Sequence, residues 1–128
     1  IIRSLFSNQQ AIGFSVLKGN MTLVDEISEN VKSTRWQIKN DYHFGGYAKV
    51  SKELINFINE FKRKHKIALD PIYTGKMFYG VIDLISKDYF NPGTKILLIH
   101  TGGLQGIVGM NSVINKKGWH YSNMYSSS

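Results

Sequence analysis

Side chains able to do chemistry concentrate in three short stretches. Residues 40–50 (NDYHFGGYAKV) set Tyr42, His43, Phe44 and Tyr47 around the pair Gly45-Gly46. So many aromatic rings on a glycine-containing loop can make a platform for a flat ligand, and can equally cover the edge of a core. A histidine on such a loop is more often a hydrogen-bonded structural group than a catalyst, so His43 receives no chemical role.

The second stretch is Asp70-Pro71-Ile72-Tyr73-Thr74-Gly75-Lys76. Proline biases Asp70 away from the helical region, and Gly75 permits an unusual backbone angle. Tyr73 and Thr74 then stand just ahead of a helix whose N-terminus favours anions. An ordinary helix entry, with Tyr73 half buried and Lys76 in solvent, fits the same residues as well. The third stretch is Thr101-Gly102-Gly103. Its glycine pair lets the backbone pass close to a ligand or turn sharply, and the Thr101 hydroxyl can donate one hydrogen bond to a heterocycle or an anion. Taken alone it reads first as a plain strand-to-helix turn.

The elements that must position these groups follow from periodicity. Residues 11–17 (AIGFSVL) are a short apolar run suited to a strand buried on both faces of a parallel sheet. Thr22 and Asp25 have capping-box spacing, and Val24, Ile27 and Val31 recur on one helical face. Trp36-Gln37-Ile38 suits a second strand. Ser51 predicts an N-cap for a helix with the stripe Leu54, Ile55, Ile58 and Phe61, ending near Lys66. From Lys76, the residues Phe78, Val81, Ile82 and Ile85 keep helical spacing. Asn91-Pro92-Gly93 is a turn, and residues 95–100 (KILLIH) read as a buried strand leading into Thr101. Ile1, Ile2, Leu5 and Phe6 share a helical face with no capping residue ahead of them, so residues 1–8 are expected to be the last turns of a helix that starts upstream. Strands alternating with helices imply an α/β class: a mainly parallel sheet with helices on both faces, in one unit over residues 1–128 without an internal boundary. Ligands of such sheets bind beyond the C-terminal strand ends, where Tyr42 and Thr101 would lie, together with the loop of Tyr73.

Composition removes several function classes. With no cysteine there are no disulfides or thiolate metal sites, and His43, His65, His100 and His120 are too far apart for a local ligand motif, so no metal is expected. The absence of cysteine fits the cytoplasm. No apolar run approaches the length that spans a bilayer. The net charge of +7 raises nucleic acid as a partner, but the densest basic cluster, Lys62, Arg63, Lys64 and Lys66, falls at the C-terminal end of a predicted helix. Cations there complement the helix dipole, which argues against a nucleic-acid interface.

Together and in order, AIGFSVLKG at 11–19, DYHFGGYAK at 41–49, LDPIYTGKMFYGVID at 69–83 and ILLIHTGGLQG at 96–106 resemble the 1-aminocyclopropane-1-carboxylate deaminase and D-cysteine desulfhydrase family. These enzymes depend on pyridoxal phosphate (PLP) and share the tryptophan synthase β-like fold, fold type II. The segment 116–128 has no counterpart in the resemblance.

The resemblance implies a PLP-dependent lyase, deaminase or hydrolase acting on a small amino acid. It also implies that this chain is a C-terminal portion of the large PLP-binding domain. The Schiff-base lysine, the phosphate loop and the smaller domain are expected upstream, so the chain alone is expected to be inactive; a homodimer is the usual assembly. Thr101 would donate its hydroxyl to the pyridine nitrogen, with Gly102 and Thr74 also against the cofactor. Tyr73 would lie by the cofactor ring, and Tyr42 across the pocket as a second acid, base or orienting group. A neutral donor at the pyridine nitrogen leaves the ring a weaker electron sink and favours elimination over transamination. Cyclopropane-opening relatives tend to carry glutamate where Thr74 stands and leucine where Thr101 stands, so the pattern leans toward D-cysteine desulfhydrase, which yields pyruvate, ammonia and sulfide. Against this stands a non-catalytic α/β binding or structural module derived from such an enzyme.

Overall fold

The computed structural model describes residues 8–19 and 22–119 of the chain. The helix end expected over 1–8 lies outside these residues save for Asn8, as does most of the C-terminal tail. In chain order the described elements are β1 (Ala11–Phe14), α1 (Thr22–Asn30), β2 (Trp36–Lys39), α2 (Lys52–His65), α3 (Thr74–Ser86) and α4 (Gln105–Lys116).

β1 and β2 pair in parallel, with Ala11 opposite Trp36 and Phe14 opposite Lys39. Parallel strands need a crossover, which α1 supplies. β1 stops at Phe14, short of the expected Leu17, because the Ser15 hydroxyl accepts from the backbone N–H of Leu17 at 3.2 Å and turns the chain locally. α1 begins at Thr22, the residue expected to cap it, and among the described residues it buries no side chain.

α2 starts as its sequence implies. Ser51 is extended and accepts from the Leu54 N–H at 3.1 Å. Leu54, Ile55 and Ile58 form its buried stripe. At the far end Lys66 adopts the left-handed region and its N–H reaches the Lys62 carbonyl, closing the last turn. Arg63 and Lys64 both pair with Glu60 on the exposed face of the same helix.

α3 is the most buried element and joins the two halves of the structure. On one side Phe78 enters a core with Leu54, Ile55, Ile58, Leu69, Ile107, Met110 and Ile114. On the other, Gly80 faces β1: a Cβ there would stand 2.4 Å from the Phe14 ring. Gly75 plays the same part toward α2, since its Cβ would come within 2.6 Å of Ile58. These close approaches turn the helix away from the stripe expected of it. Phe78, Val81 and Leu84 are buried, whereas Ile82 and Ile85 are exposed.

Two further expectations change. Residues 95–100 are not in a strand: among the described residues no strand pairs with them, and Leu97 is 82% exposed. A strand exists only through its ladder, so an apolar run with no neighbouring strand stays irregular. α4 was foreseen only as a helix following the turn at Gly103; the spacing of Ile107, Met110 and Ile114, which it buries, is the signal that marks it.

Candidate active site

Asp70 organises the centre of the site. It is fully buried, and its carboxylate accepts from the N–H groups of Ile72 (2.8 Å), Tyr73 (2.7 Å) and Thr74 (2.9 Å) and from the Thr74 hydroxyl (2.5 Å). The Asp70 N–H in turn donates to the Thr74 hydroxyl oxygen at 3.0 Å, and the Gly75 N–H to the Asp70 carbonyl at 2.8 Å. The first N–H groups of a helix lack partners within it, and here Asp70 takes that of Thr74 with its carboxylate and that of Gly75 with its carbonyl, besides the two N–H groups that lead into the helix.

This arrangement alters two expectations. The N-terminus of α3 is not an open anion site, because the chain's own carboxylate fills it. Thr74 is only 2% exposed and its hydroxyl is engaged with Asp70 in both directions, so it reinforces the cap instead of facing outward.

Tyr73, held by this cap, stands 46% exposed and donates its hydroxyl to that of Tyr47 at 3.4 Å, with the two rings 6.1 Å apart. The bond is long, but it holds the Tyr73 phenol above its usual pKa, aided by partial burial. The Tyr73 phenol therefore keeps its proton near neutral pH. The partner of Tyr73 is thus Tyr47 and not Tyr42.

Tyr42 points elsewhere. Its hydroxyl donates to Asp83 at 2.8 Å, and its ring packs on Phe14 and Tyr79. Asp83 lies ten residues beyond Tyr73, about 15 Å along the helix axis. Burial first, then the Asp83 carboxylate, push the Tyr42 phenol up to about 12. The structure thus brings Tyr42 to the β1 side of α3, where it fastens the loop.

The loop between them, residues 43–49, is tightly wound. Phe44, Gly45, Gly46 and Ala48 all have positive φ, at 54°, 101°, 124° and 54°. The His43 ring accepts from the Gly45 N–H at 2.9 Å, a structural role. Lys76, expected in solvent, is 0% exposed: its ammonium donates to the carbonyls of His43 (2.8 Å) and Gly46 (2.9 Å). Burial lowers its pKa to about 8, partly opposed by Asp70.

The third loop meets the second through Asp70. A Cβ at Gly103 would lie 3.1 Å from the Asp70 carboxylate, and Gly102 and Gly103 take φ of 88° and 76°. The Gly102 N–H donates to His100 Nδ1 at 3.1 Å, so the ring's proton sits on Nε2, which donates to the Ala68 carbonyl at 2.8 Å. His100 therefore ties this loop to the chain just before Asp70. Thr101 is exposed, and none of the described residues bonds its hydroxyl; beside it, no atom lies within 4 Å of where a Gly102 side chain would begin.

An open backbone edge, one available hydroxyl donor and a hydrogen-bonded pair of tyrosine hydroxyls suit the ring side of PLP. The residues present fit that part of the cofactor. They do not fit its phosphate at α3, which Asp70 closes, nor its covalent anchor at Lys76, whose ammonium is turned into the protein. No group of histidine and acidic residues able to hold a metal occurs among the described residues.

The class defined by fold and site is an α/β unit of the tryptophan synthase β-like enzymes. A solved structure described as a homologue of 1-aminocyclopropane-1-carboxylate deaminase matches 82% of this chain with a TM-score of 0.72 and 31% identity. A Pyrococcus furiosus protein that bears the 1-aminocyclopropane-1-carboxylate deaminase name provisionally is 42% identical over 107 residues, 76% of the chain. A Bradyrhizobium enzyme (strain ORS 278) of that name is 37% identical over 66% of the chain, and an Arabidopsis thaliana mitochondrial protein named bifunctional D-cysteine desulfhydrase/1-aminocyclopropane-1-carboxylate deaminase is 44% identical over 48% of it. No family model matches. The chain belongs to the 1-aminocyclopropane-1-carboxylate deaminase family of PLP-dependent enzymes. It covers 32%, 25% and 16% of the lengths of these three relatives. Their names are those of deaminases and a desulfhydrase, which removes hydrolase from the expected classes.

Proposed function

We propose that the protein to which these residues belong is a cytoplasmic PLP-dependent deaminase or lyase acting on a small amino acid, with this chain forming one wall of its site. The observation that carries the reading is the hydroxyl pair of Tyr73 and Tyr47, with Tyr73 held by an Asp70 carboxylate that also packs against Gly103, two residues after Thr101. When bound, PLP supplies the electron sink that lets bonds at the amino-acid Cα break. Tyr73 holds a proton at its hydroxyl oxygen, within one hydrogen bond of a second proton-bearing group, which is what transfer to or from a substrate atom requires. Thr101 would hold the ring by donating to its nitrogen, and Gly102 would let the backbone approach. The remaining wall, including the anchoring lysine and the phosphate loop, comes from other parts of the polypeptide, with pairing to a second copy part of the same reading.

Within this class the proposal leans to D-cysteine. The neutral donor Thr101 supports elimination, and among the relatives the Arabidopsis protein is named for both activities. The test uses the full-length protein. It should bind PLP with a visible absorbance that borohydride fixes to a lysine outside residues 1–128, and it should release ammonia and sulfide from D-cysteine faster than ammonia from 1-aminocyclopropane-1-carboxylate. Folded protein that never takes up PLP overturns the enzyme reading; faster turnover of the cyclopropane substrate overturns only the D-cysteine lean.

A further inference from the structure

Lys76 does something unusual for a lysine: it is wholly buried, and its ammonium is held by two main-chain carbonyls, those of His43 and Gly46. Buried cations are costly, and a buried ionic group is weak evidence for stability. Stability is thus a poor account of this one. Its position supplies another. The carbonyls it binds belong to a loop in which four of the five residues 44–48 have positive φ, including the non-glycine residues Phe44 and Ala48. Such a backbone is strained and persists only where its surroundings over-determine it. The winding turns two carbonyls toward one point, and the ammonium occupies that point.

The residue after Gly46 is Tyr47. The residue three before Lys76, at the N-cap of α3, is Tyr73. The clamp therefore fixes both partners of the phenol pair from one place: α3 carries Tyr73, and Lys76 draws in the loop that carries Tyr47. We propose that Lys76 is a positioning residue that sets the Tyr47 hydroxyl against that of Tyr73 by clamping loop 43–49 onto α3. The clamp is a statement about this chain; its effect on turnover rests on the enzyme reading above.

The test compares Lys76→Met and Lys76→Gln in the full-length, PLP-loaded protein, each with and without Tyr47→Phe. Amide hydrogen exchange reads the clamp without reference to activity. The Gly46 N–H, bonded to the His43 carbonyl, and the Lys49 N–H, bonded to the Gly46 carbonyl, should exchange at least 10-fold faster in Lys76→Met. Lys76→Gln, which keeps two N–H donors, should fall between. If Lys76→Met does not fold, the glutamine variant alone decides by the same readouts. Turnover should fall on the order of 10-fold to 100-fold with KM little changed, the scale of a misplaced catalytic group, and the loss should vanish in the Tyr47→Phe background. Unchanged exchange at Gly46 and Lys49 overturns the clamp, and an equal loss of kcat with and without the Tyr47 hydroxyl overturns its action through Tyr47. Accelerated exchange in a protein that shows no amino-acid turnover even when unsubstituted leaves the clamp standing and removes the enzyme reading instead.

Discussion

At the scale of single residues, the Tyr73 phenol is placed by its backbone and tuned by its neighbour. Asp70 fixes the N–H of Tyr73 at 2.7 Å, and Tyr47 accepts its hydroxyl proton. If the two hydroxyls act as one unit, their substitutions should not add. In the full-length enzyme, Tyr73→Phe should lower kcat on the order of 100-fold or more, the size of general acid-base effects. Tyr47→Phe should lower it less, and the double variant should fall no further than Tyr73→Phe alone; steady-state kinetics over the four proteins read this as a double-mutant cycle. Asp70 governs the same point structurally. Asp70→Ala leaves three N–H groups and the Thr74 hydroxyl without an acceptor in a buried place, and should destabilise by about 2–4 kcal/mol. Urea unfolding measures it, with Thr74→Val expected to cost less because it removes the two bonds of the hydroxyl, to the carboxylate and from the Asp70 N–H, and leaves the three N–H bonds of the carboxylate in place.

Elements are joined by α3, and its small residues and tyrosine bonds set how closely the others come. Gly80→Ala would drive a methyl to within 2.4 Å of the Phe14 ring and 3.0 Å of Tyr42, so β1 and loop 40–50 must shift. A loss of about 1–3 kcal/mol is expected from such overpacking, again by urea unfolding. Two phenols pin neighbouring segments to α3: Tyr42 through Asp83, and Tyr79 through Glu53 on α2, at 2.5 Å. Burial and the Asp83 bond push Tyr42 up to about 12, and the Glu53 bond followed by burial does the same for Tyr79. Both folded values exceed the ordinary phenol value of 10.0, so the folded state holds these protons more tightly than the unfolded one. Their stabilisation is complete below about pH 10 and is lost as the pH rises toward 12. Thermal unfolding across that window should show a decline that Tyr42→Phe and Tyr79→Phe each reduce.

For the whole molecule, the described residues leave surfaces that a full domain would cover. The sheet has two strands, α1 buries nothing, and Leu97 and Val108 are 82% and 71% exposed. A two-stranded sheet is marginal alone, and an apolar run beside it has open ladder positions. The relatives are roughly three to six times as long as the stretch they share with this chain, by the shares of 32% and 16% covered. Residues 95–100 should therefore gain their partners from the remainder of the polypeptide. Amides at Ile96 to Ile99 should be protected from hydrogen exchange by at least 100-fold in the full-length protein and exchange freely in the 128-residue chain. Equal protection in both would show that the segment is not completed from outside.

What the sequence determined by itself was local. The Ser51 cap, the stripe of Leu54, Ile55 and Ile58, the strands expected within 11–17 and at 36–38, and the punctuation at Asp70-Pro71 and Gly102-Gly103 all rest on periodicity or on backbone preferences of a few neighbouring residues, and these survive into the fold, the first strand shortened to 11–14. The family was legible for the same reason, since its signature is carried by short ordered stretches. Direction and partnership were not legible, because they depend on groups far apart in the chain. Tyr73 reaches Tyr47 across 26 positions and Tyr42 reaches Asp83 across 41, so two tyrosines five residues apart on one loop serve opposite ends of α3. Thr74 turned inward because the Asp70 carboxylate needed its donors, and Lys76 was buried because a loop with left-handed residues aimed two carbonyls at it. Whether 95–100 forms a strand was decided by the absence, among the described residues, of a neighbour to complete its hydrogen bonds. Propensity proposes an element; only the packing of distant segments supplies the partners that make it and aim its side chains.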